Sequence, residues 1–242
     1  MTTRTMRTAS DVMLGASPSE SGISVNSLRT ALASGVETII EEIAITPIVS
    51  PAGEAMTIVS ASAGDVGAVL RLSLLGPNYS RLAPIDVTLN GTTPVAIPGG
   101  PFTRVNGISR VSGDTAGNVT VVSSAAVRGF LAATQQVQRS SRYTVPSGFR
   151  LFITDLIASL LKDGGTNVVC AFAIKGKPAA SVNYGAFLQW ALQRDGANCV
   201  HFSQQFTGGI VGPFDVLVTA TAGAAGQDVQ AYFAGMLQDL SV

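Results

Sequence analysis

The chain has 242 residues, enough for one large or two ordinary domains, and its 15 basic residues balance 15 acidic ones to a formal net charge of zero. With a pI near 6.6 it lacks the basic excess of a nucleic-acid-binding surface, so no nucleic acid is expected as a partner. Charged residues make up only 12%, about half of the roughly 25% usual in soluble domains, and mean hydropathy is +0.38, so partner subunits are expected to cover much of the exterior.

The longest apolar run, Val168 to Ile174, is about a third of the roughly 20 residues needed to cross a bilayer as a helix, and no membrane partner is expected. The opening MTTRTMRTASDVMLG carries Arg4 and Arg7 but no apolar core of about 7 to 15 residues, so it does not read as a secretory signal. The chain reads as made in a cytosol. The N-x-[ST] matches at Asn78, Asn90 and Asn118 are accordingly read as turn asparagines, not glycan acceptors.

Taken in order, residues 1–22 are rich in Ser, Thr and small side chains without a sustained period, as in an arm that orders only against a partner. From Ser27, a candidate N-cap, Leu28, Leu32, Val36, Ile39, Ile40 and Ile43 recur near every 3.6 residues, and this spacing predicts a short helix through about residue 42. The β-branched run Val36 to Ile45 offers the alternative of a first strand. Arm and helix together occupy 1–43.

Residues 44–125 carry short strand signals at Met56–Ser60, Val69–Leu74, Ile85–Leu89, Pro94–Ile97, Arg104–Val111 and Val119–Ser123, separated by Gly, Pro, Asn and Asp clusters. In Val69–Leu74 the three leucines share one face and Arg71 and Ser73 the other, as in a sheet packed on one side. Within DVTLNGTTPVAIPGG, residues 86–100, Val87 and Leu89 alternate with polar residues up to Asn90-Gly91. That pair predicts a type I′ hairpin returning through Val95 and Ile97, with Pro94 marking an edge or bulge.

Residues 126–142, with Gln135, Gln136, Gln138, Arg139 and Arg142, read as a polar linker. A second strand-rich block, 143–242, starts at Tyr143-Thr144-Val145 with a turn at Pro146 to Gly148. It continues through Leu151–Ile157, Asn167–Ile174, Phe187–Leu192, Cys199–Phe202, Asp215–Ala222 and Val229–Leu237, with a hairpin turn at Lys162 to Gly165. The expected fold is all-β: two β-sandwiches, jelly-roll or Ig-like, preceded by the arm and the short helix.

No catalytic or binding constellation assembles from this sequence, and no catalytic, cofactor or metal residue is assigned. His201, the single histidine, lies near Asp195 and Ser203, but no G-x-S-x-G elbow accompanies them. Cys170 falls on an apolar strand face and Cys199 on the opposite parity from its apolar neighbours, without C-x-x-C spacing. Asp114 and Asp163 read as turn formers, since no D-x-D-x-D-G run exists. Gly164-Gly165 lacks a phosphate-loop frame, and Lys175-Gly176-Lys177-Pro178 reads as an exposed turn with solvated charges. Trp190, flanked on its face by Leu188 and Leu192, reads as core or interface. Tyr79, Tyr143, Tyr184 and Tyr232 are scattered singly, not grouped as a stacking platform.

The segment 72–121 resembles a β-rich pattern of tailed-bacteriophage virion structural proteins. Its matching positions are Leu75, Gly76, Asn78 and Tyr79, then Val87 to Val95, Arg104 to Asn106, and Ala116 to Val119. The stretch YTVPSGFRLFITDLIAS is similar to the strand that often begins a neighbouring sandwich in such proteins. The resemblance implies a structural role: a capsid decoration or cement protein, acting in the virion, that binds itself, as a trimer, and the major capsid protein or other virion proteins. A tail, fibre-base or head-to-tail adaptor component is the alternative within the virion, and a carbohydrate-binding module the alternative outside it.

Overall fold

The computed structural model describes residues 20–162, 169–193, 199–202 and 209–241; of these, the side chains of 20, 21, 161, 162, 190, 193 and 199–202 are not described. The arm expected over 1–22 thus lies outside the described residues except at its end, as do the glycines of the turn expected at Lys162 to Gly165. The chain is all-β, and among the described residues every strand pairing is antiparallel apart from one isolated parallel bridge, Ser34 to Ala222. Two strands come first, β1 (Glu20–Leu32) and β2 (Glu37–Ile39). Next are β3 (Thr57–Ser60), β4 (Val66–Leu75), a 3-10 turn at Pro77–Tyr79, β5 (Ile85–Asn90), β6 (Val95–Ala96), β7 (Arg104–Ser112), β8 (Val119–Ser123) and β9 (Ala126–Leu131). The remainder are β10 (Tyr143–Val145), β11 (Phe149–Lys162), β12 (Val169–Pro178), β13 (Gly185–Gln193), β14 (Cys199–Phe202), β15 (Ile210–Val211), β16 (Phe214–Ala222) and β17 (Gln227–Asp239).

The first sandwich packs a sheet of order β5-β4-β7 against one of order β6-β3-β8-β9. Alternation explains its core: Leu70, Leu72 and Leu74 of β4 are buried with Val87 and Leu89 of β5, and they meet Ile58, Val119 and Val121 of the facing sheet. Arg71 and Ser73 point to solvent, and Arg71 forks onto Asp86 of β5 with two 2.8 Å hydrogen bonds. One turn is tied by the buried Asp65, which accepts hydrogen bonds from Ser60 Oγ, Ala116 N and Gly117 N. Burial alone would raise the Asp65 carboxyl, and these three donors outweigh it and hold the group below the usual carboxylate range.

The second sandwich packs order β1-β17-β11-β14, with β15 also on β11, against order β10-β16-β12-β13, with β2 also on β16. Val229, Ala231 and Phe233 alternate into its core from β17, and Cys170, Phe172 and Ile174 from β12. The strand expected at Val229 and the apolar face assigned to Cys170 are therefore both present.

Three expectations are corrected. The helix predicted from Ser27 is strand β1, and β2 follows it; both join the second sandwich, through β17 and β16, so the first sandwich is inserted between β2 and β10. The helical spacing does not mark one face of the strand: Leu28 sits opposite Gln230 on the outward side, whereas between Arg29 and Leu32 the register against β17 slips by one residue, with Ala31 at φ 53, and this β-bulge turns Leu32 into the core. The linker placed at 126–142 is strand over Ala126–Leu131, since β9 pairs with β8 and only the part beyond Leu131 crosses between sandwiches. That crossing runs beside the other one: Glu41 bridges Ser140, Ser141 N donates to Ile40 O, and Arg142 binds the Glu41 carboxylate.

The third correction concerns residues 86–97, which form a corner in place of a hairpin. β5 pairs with β4 in one sheet and β6 with β3 in the other. A tight turn is present, closed by Thr93 N donating to Asn90 O, but only Gly91 has positive φ, whereas a type I′ turn at Asn90-Gly91 needs it at both residues. Gly91 is required for space as well, because a Cβ there would lie 2.8 Å from the Ala63 carbonyl oxygen.

Candidate functional site

The polar groups most deeply enclosed by both sandwiches lie in the seam between them. Arg104 stands at the start of β7 opposite Leu75, and a bulge at Asn106 puts it on the face away from Ile108 and the first core, so that it projects toward the second sandwich. Its Nε and Nη2 donate to the two oxygens of Asp215, on β16 of the second sandwich, at 3.2 and 2.9 Å. Nη1 donates to the carbonyls of Ile48 and Thr103, and Nη2 also to that of Ala179. The guanidinium lies 5.1 Å from the centre of the Tyr79 ring. Every face of the guanidinium is thereby occupied, which a buried cation requires to offset its lost hydration.

Asp215 serves three donors. Thr144 Oγ1 donates to it at 2.6 Å, and Lys177 Nζ lies 3.3 Å from its second oxygen. Side-chain exposure is 7% for Arg104, 7% for Asp215 and 3% for Lys177, so two cations share one carboxylate away from water. The ammonium of Lys177 also donates to Ser181 O and sits 4.9 Å from the Tyr184 ring. Lys177 thus corrects a further expectation: Lys175 to Pro178 is the end of strand β12, not a solvated turn, and Lys175 itself pairs with Glu37 at 2.6 Å.

Around the charges, the seam is tied by neutral contacts. Asn106 bonds the Thr144 backbone twice, its Nδ2 donating to Thr144 O at 2.8 Å and its Oδ1 accepting from Thr144 N at 3.0 Å. Tyr79 donates to Val49 O, and its own carbonyl accepts from Ser147 N; with Leu75 and Ala179 it forms a small apolar cluster across the boundary. Burial pushes the Tyr79 and Tyr184 hydroxyls up from their ordinary range, so both stay neutral. Beside the seam opens a groove of about 910 Å³, lined by Ser73, Asn106 and Ser109 from one sandwich and Gly22, Tyr143 and Phe149 from the other.

The residues weighed from sequence do not converge. The backbone of His201 pairs with Ile157 in β14, while Asp195 and Ser203 lie outside the described residues. Asp114 is exposed and pairs with Arg110 near the end of the preceding strand β7; Asp163 lies outside the described residues. Cys170 is buried, and burial pushes its thiol up to about 11. Trp190 belongs to β13, but its side chain is not among those described. Among the described residues no group of three or more His, Cys, Asp or Glu is placed to hold a metal ion. Arg104, Lys177 and Asp215 were not singled out as a site from sequence. The local pattern of β7 carried no signal for Arg104, which a bulge places opposite to the apolar face, and nothing local pointed to its partner more than a hundred positions away.

No family model matches the chain, and no curated protein does. Among solved structures, the infectious bursal disease virus VP2 subviral particle aligns over 96% of this chain and 77% of that chain, at 10% identity and a TM-score of 0.26. The STIV MCP aligns over 88% of this chain and 96% of that chain, at 9% identity and the same TM-score. Overlap at these scores does not assign the chain to a fold family, and the description as paired β-sandwiches rests on the sheets and cores themselves.

Proposed function

We propose that the protein is a virion structural component of a tailed bacteriophage, of the capsid decoration or cement type, that associates with itself, as a trimer, and with the shell. The observation that carries this reading is the exterior. In a chain with only 12% charged residues, Val169, Val182 and Phe187 stand 40%, 72% and 47% exposed, spread along the β12–β13 hairpin of the second sandwich from one end to the other. The resemblance of residues 72–121 to virion proteins supports the same reading, and the locked seam suits a part that bears load. The test is to add purified protein to phage particles that lack it and measure what co-sediments and how the particles resist heat. Saturable binding with a rise in the temperature at which DNA is released is expected; absence of binding overturns the decoration reading. Removing residues 1–19, ahead of β1, is expected to weaken attachment and leave both sandwiches folded.

A further inference from the structure

We infer that the free edge of β13 is a self-association surface, at which two copies of this chain join their sheets antiparallel across a two-fold axis. The inference deepens the assembly reading above and rests on it. In the order β10-β16-β12-β13, no described strand lies outside β13. An unpaired edge presents a row of backbone donors and acceptors, which proteins ordinarily blunt with charges, proline, bulges or brevity. The other long edges are charged or covered: β1 carries Arg29, β5 Asp86 and β9 Arg128, while the outer edge of β7 is bonded by residues 136–138, through Arg110 N to Gln136 O and Gln138 N to Ile108 O. β13, with the sequence GAFLQWALQ, has neither charge nor proline over nine residues.

One device is present, and it narrows the contact. Ile174 of β12 faces Leu188 while Lys175 faces Ala186, so Phe187 is the additional residue of a bulge. Its ring covers Gly176, where a Cβ would lie 2.4 Å from it, and stacks at 5.7 Å from Phe214. The regular run beyond the bulge, Leu188 to Gln193, is what remains for pairing, with the axis passing close to position 190. Antiparallel pairing there sets Gln189 of each copy opposite Ala191 of the other, a long side chain against a methyl, so that identical strands fit without a clash on the outer face. Gln189 and Ala191 are both exposed, and Ala171 beside them is small and exposed too. A charged hetero-partner finds no complementary charge along this edge; a second copy needs none. In an assembly of trimers this contact links one trimer to the next.

Charges introduced at Gln189 and Ala191 together test the inference, because both side chains are exposed and their replacement leaves the core intact. The double variants Gln189→Lys with Ala191→Lys and Gln189→Glu with Ala191→Glu are prepared separately, checked for an unchanged circular dichroism spectrum, and compared with wild type by sedimentation velocity at increasing concentration. Each double variant sets like charges directly opposite one another at two places across the axis, so each alone is expected to associate at least about tenfold more weakly than wild type. An equimolar mixture of the two is expected to recover association, since a charge at 189 of one copy then faces the opposite charge at 191 of the other. If wild type self-associates and neither variant changes it, the edge is not the contact and the inference falls, although the assembly reading stands. If wild type stays monomeric throughout, the inference also falls, and the particle-binding measurement decides the assembly reading separately.

Discussion

At the scale of single residues, the seam makes an ordering of effects testable. Asp215→Asn leaves Arg104 and Lys177 as two buried cations without a counter-charge, which is expected to cost about 3–5 kcal/mol of stability. Arg104→Met keeps the packing of the aliphatic stem and leaves Lys177 still paired with Asp215. Its expected cost is smaller, about 1–3 kcal/mol, mainly from the carbonyls that lose a donor. Chemical denaturation of both variants checks the order, and equal losses would show that the carboxylate is not the centre of the cluster. Cys170 gives a pH prediction. Its thiol is raised from 9.0 to about 11, so the folded state favours the neutral form; that contribution is complete below pH 9 and is lost as pH climbs towards 11. In a Cys199→Ser background, the native thiol is expected to resist alkylation at pH 8 and to react fully in denaturant. The denaturation midpoint is expected to fall more steeply between pH 9 and 11 than it does when Cys170 is also replaced by Ala.

At the scale of elements, the corner at Gly91 lets one continuous stretch of chain serve both sheets of the first sandwich. Gly91→Ala imposes positive φ on an L residue and a 2.8 Å contact with the Ala63 backbone, and thermal denaturation is expected to reveal a loss of about 1–3 kcal/mol. Asn90→Ala leaves the Thr93 N to Asn90 O bond in place and is expected to cost much less. The contrast matters because the sequence pair Asn90-Gly91 suggests that both residues set the turn. Strand β1 teaches the converse. Its bulge shifts which residues face inward, so Leu28 and Leu32, whose spacing of four suggests one helical face, lie on opposite faces of the strand.

At the scale of the whole molecule, two chain crossings that bond to each other and a buried ion cluster join the sandwiches. Ser141 N to Ile40 O and the Arg142 to Glu41 pair fasten the crossings, and Arg104 to Asp215 fastens the bodies. Calorimetry is therefore expected to record one unfolding transition for the wild-type protein, with the calorimetric and van't Hoff enthalpies in agreement. Asp215→Asn is expected to split it in two, since each sandwich keeps its own core. Two transitions in the wild type would mean that the seam is a contact without energetic weight.

The sequence by itself determined the all-β class, most strand positions and the buried faces. Alternation in β4, β12 and β17 follows directly from the two-residue repeat of an extended chain with one side in the core. It also determined the low-charge exterior. Only the tertiary structure decided which strands share a sheet, that β1 and β2 belong with β16 and β17, that residues 86–97 turn a corner, and that Arg104, Lys177 and Asp215 meet. Strand pairing is made by backbone groups that every residue possesses, so it leaves little mark on side-chain identity. A buried ion pair between positions 104 and 215 leaves even less, because each partner taken alone looks like an ordinary surface charge until the fold encloses it.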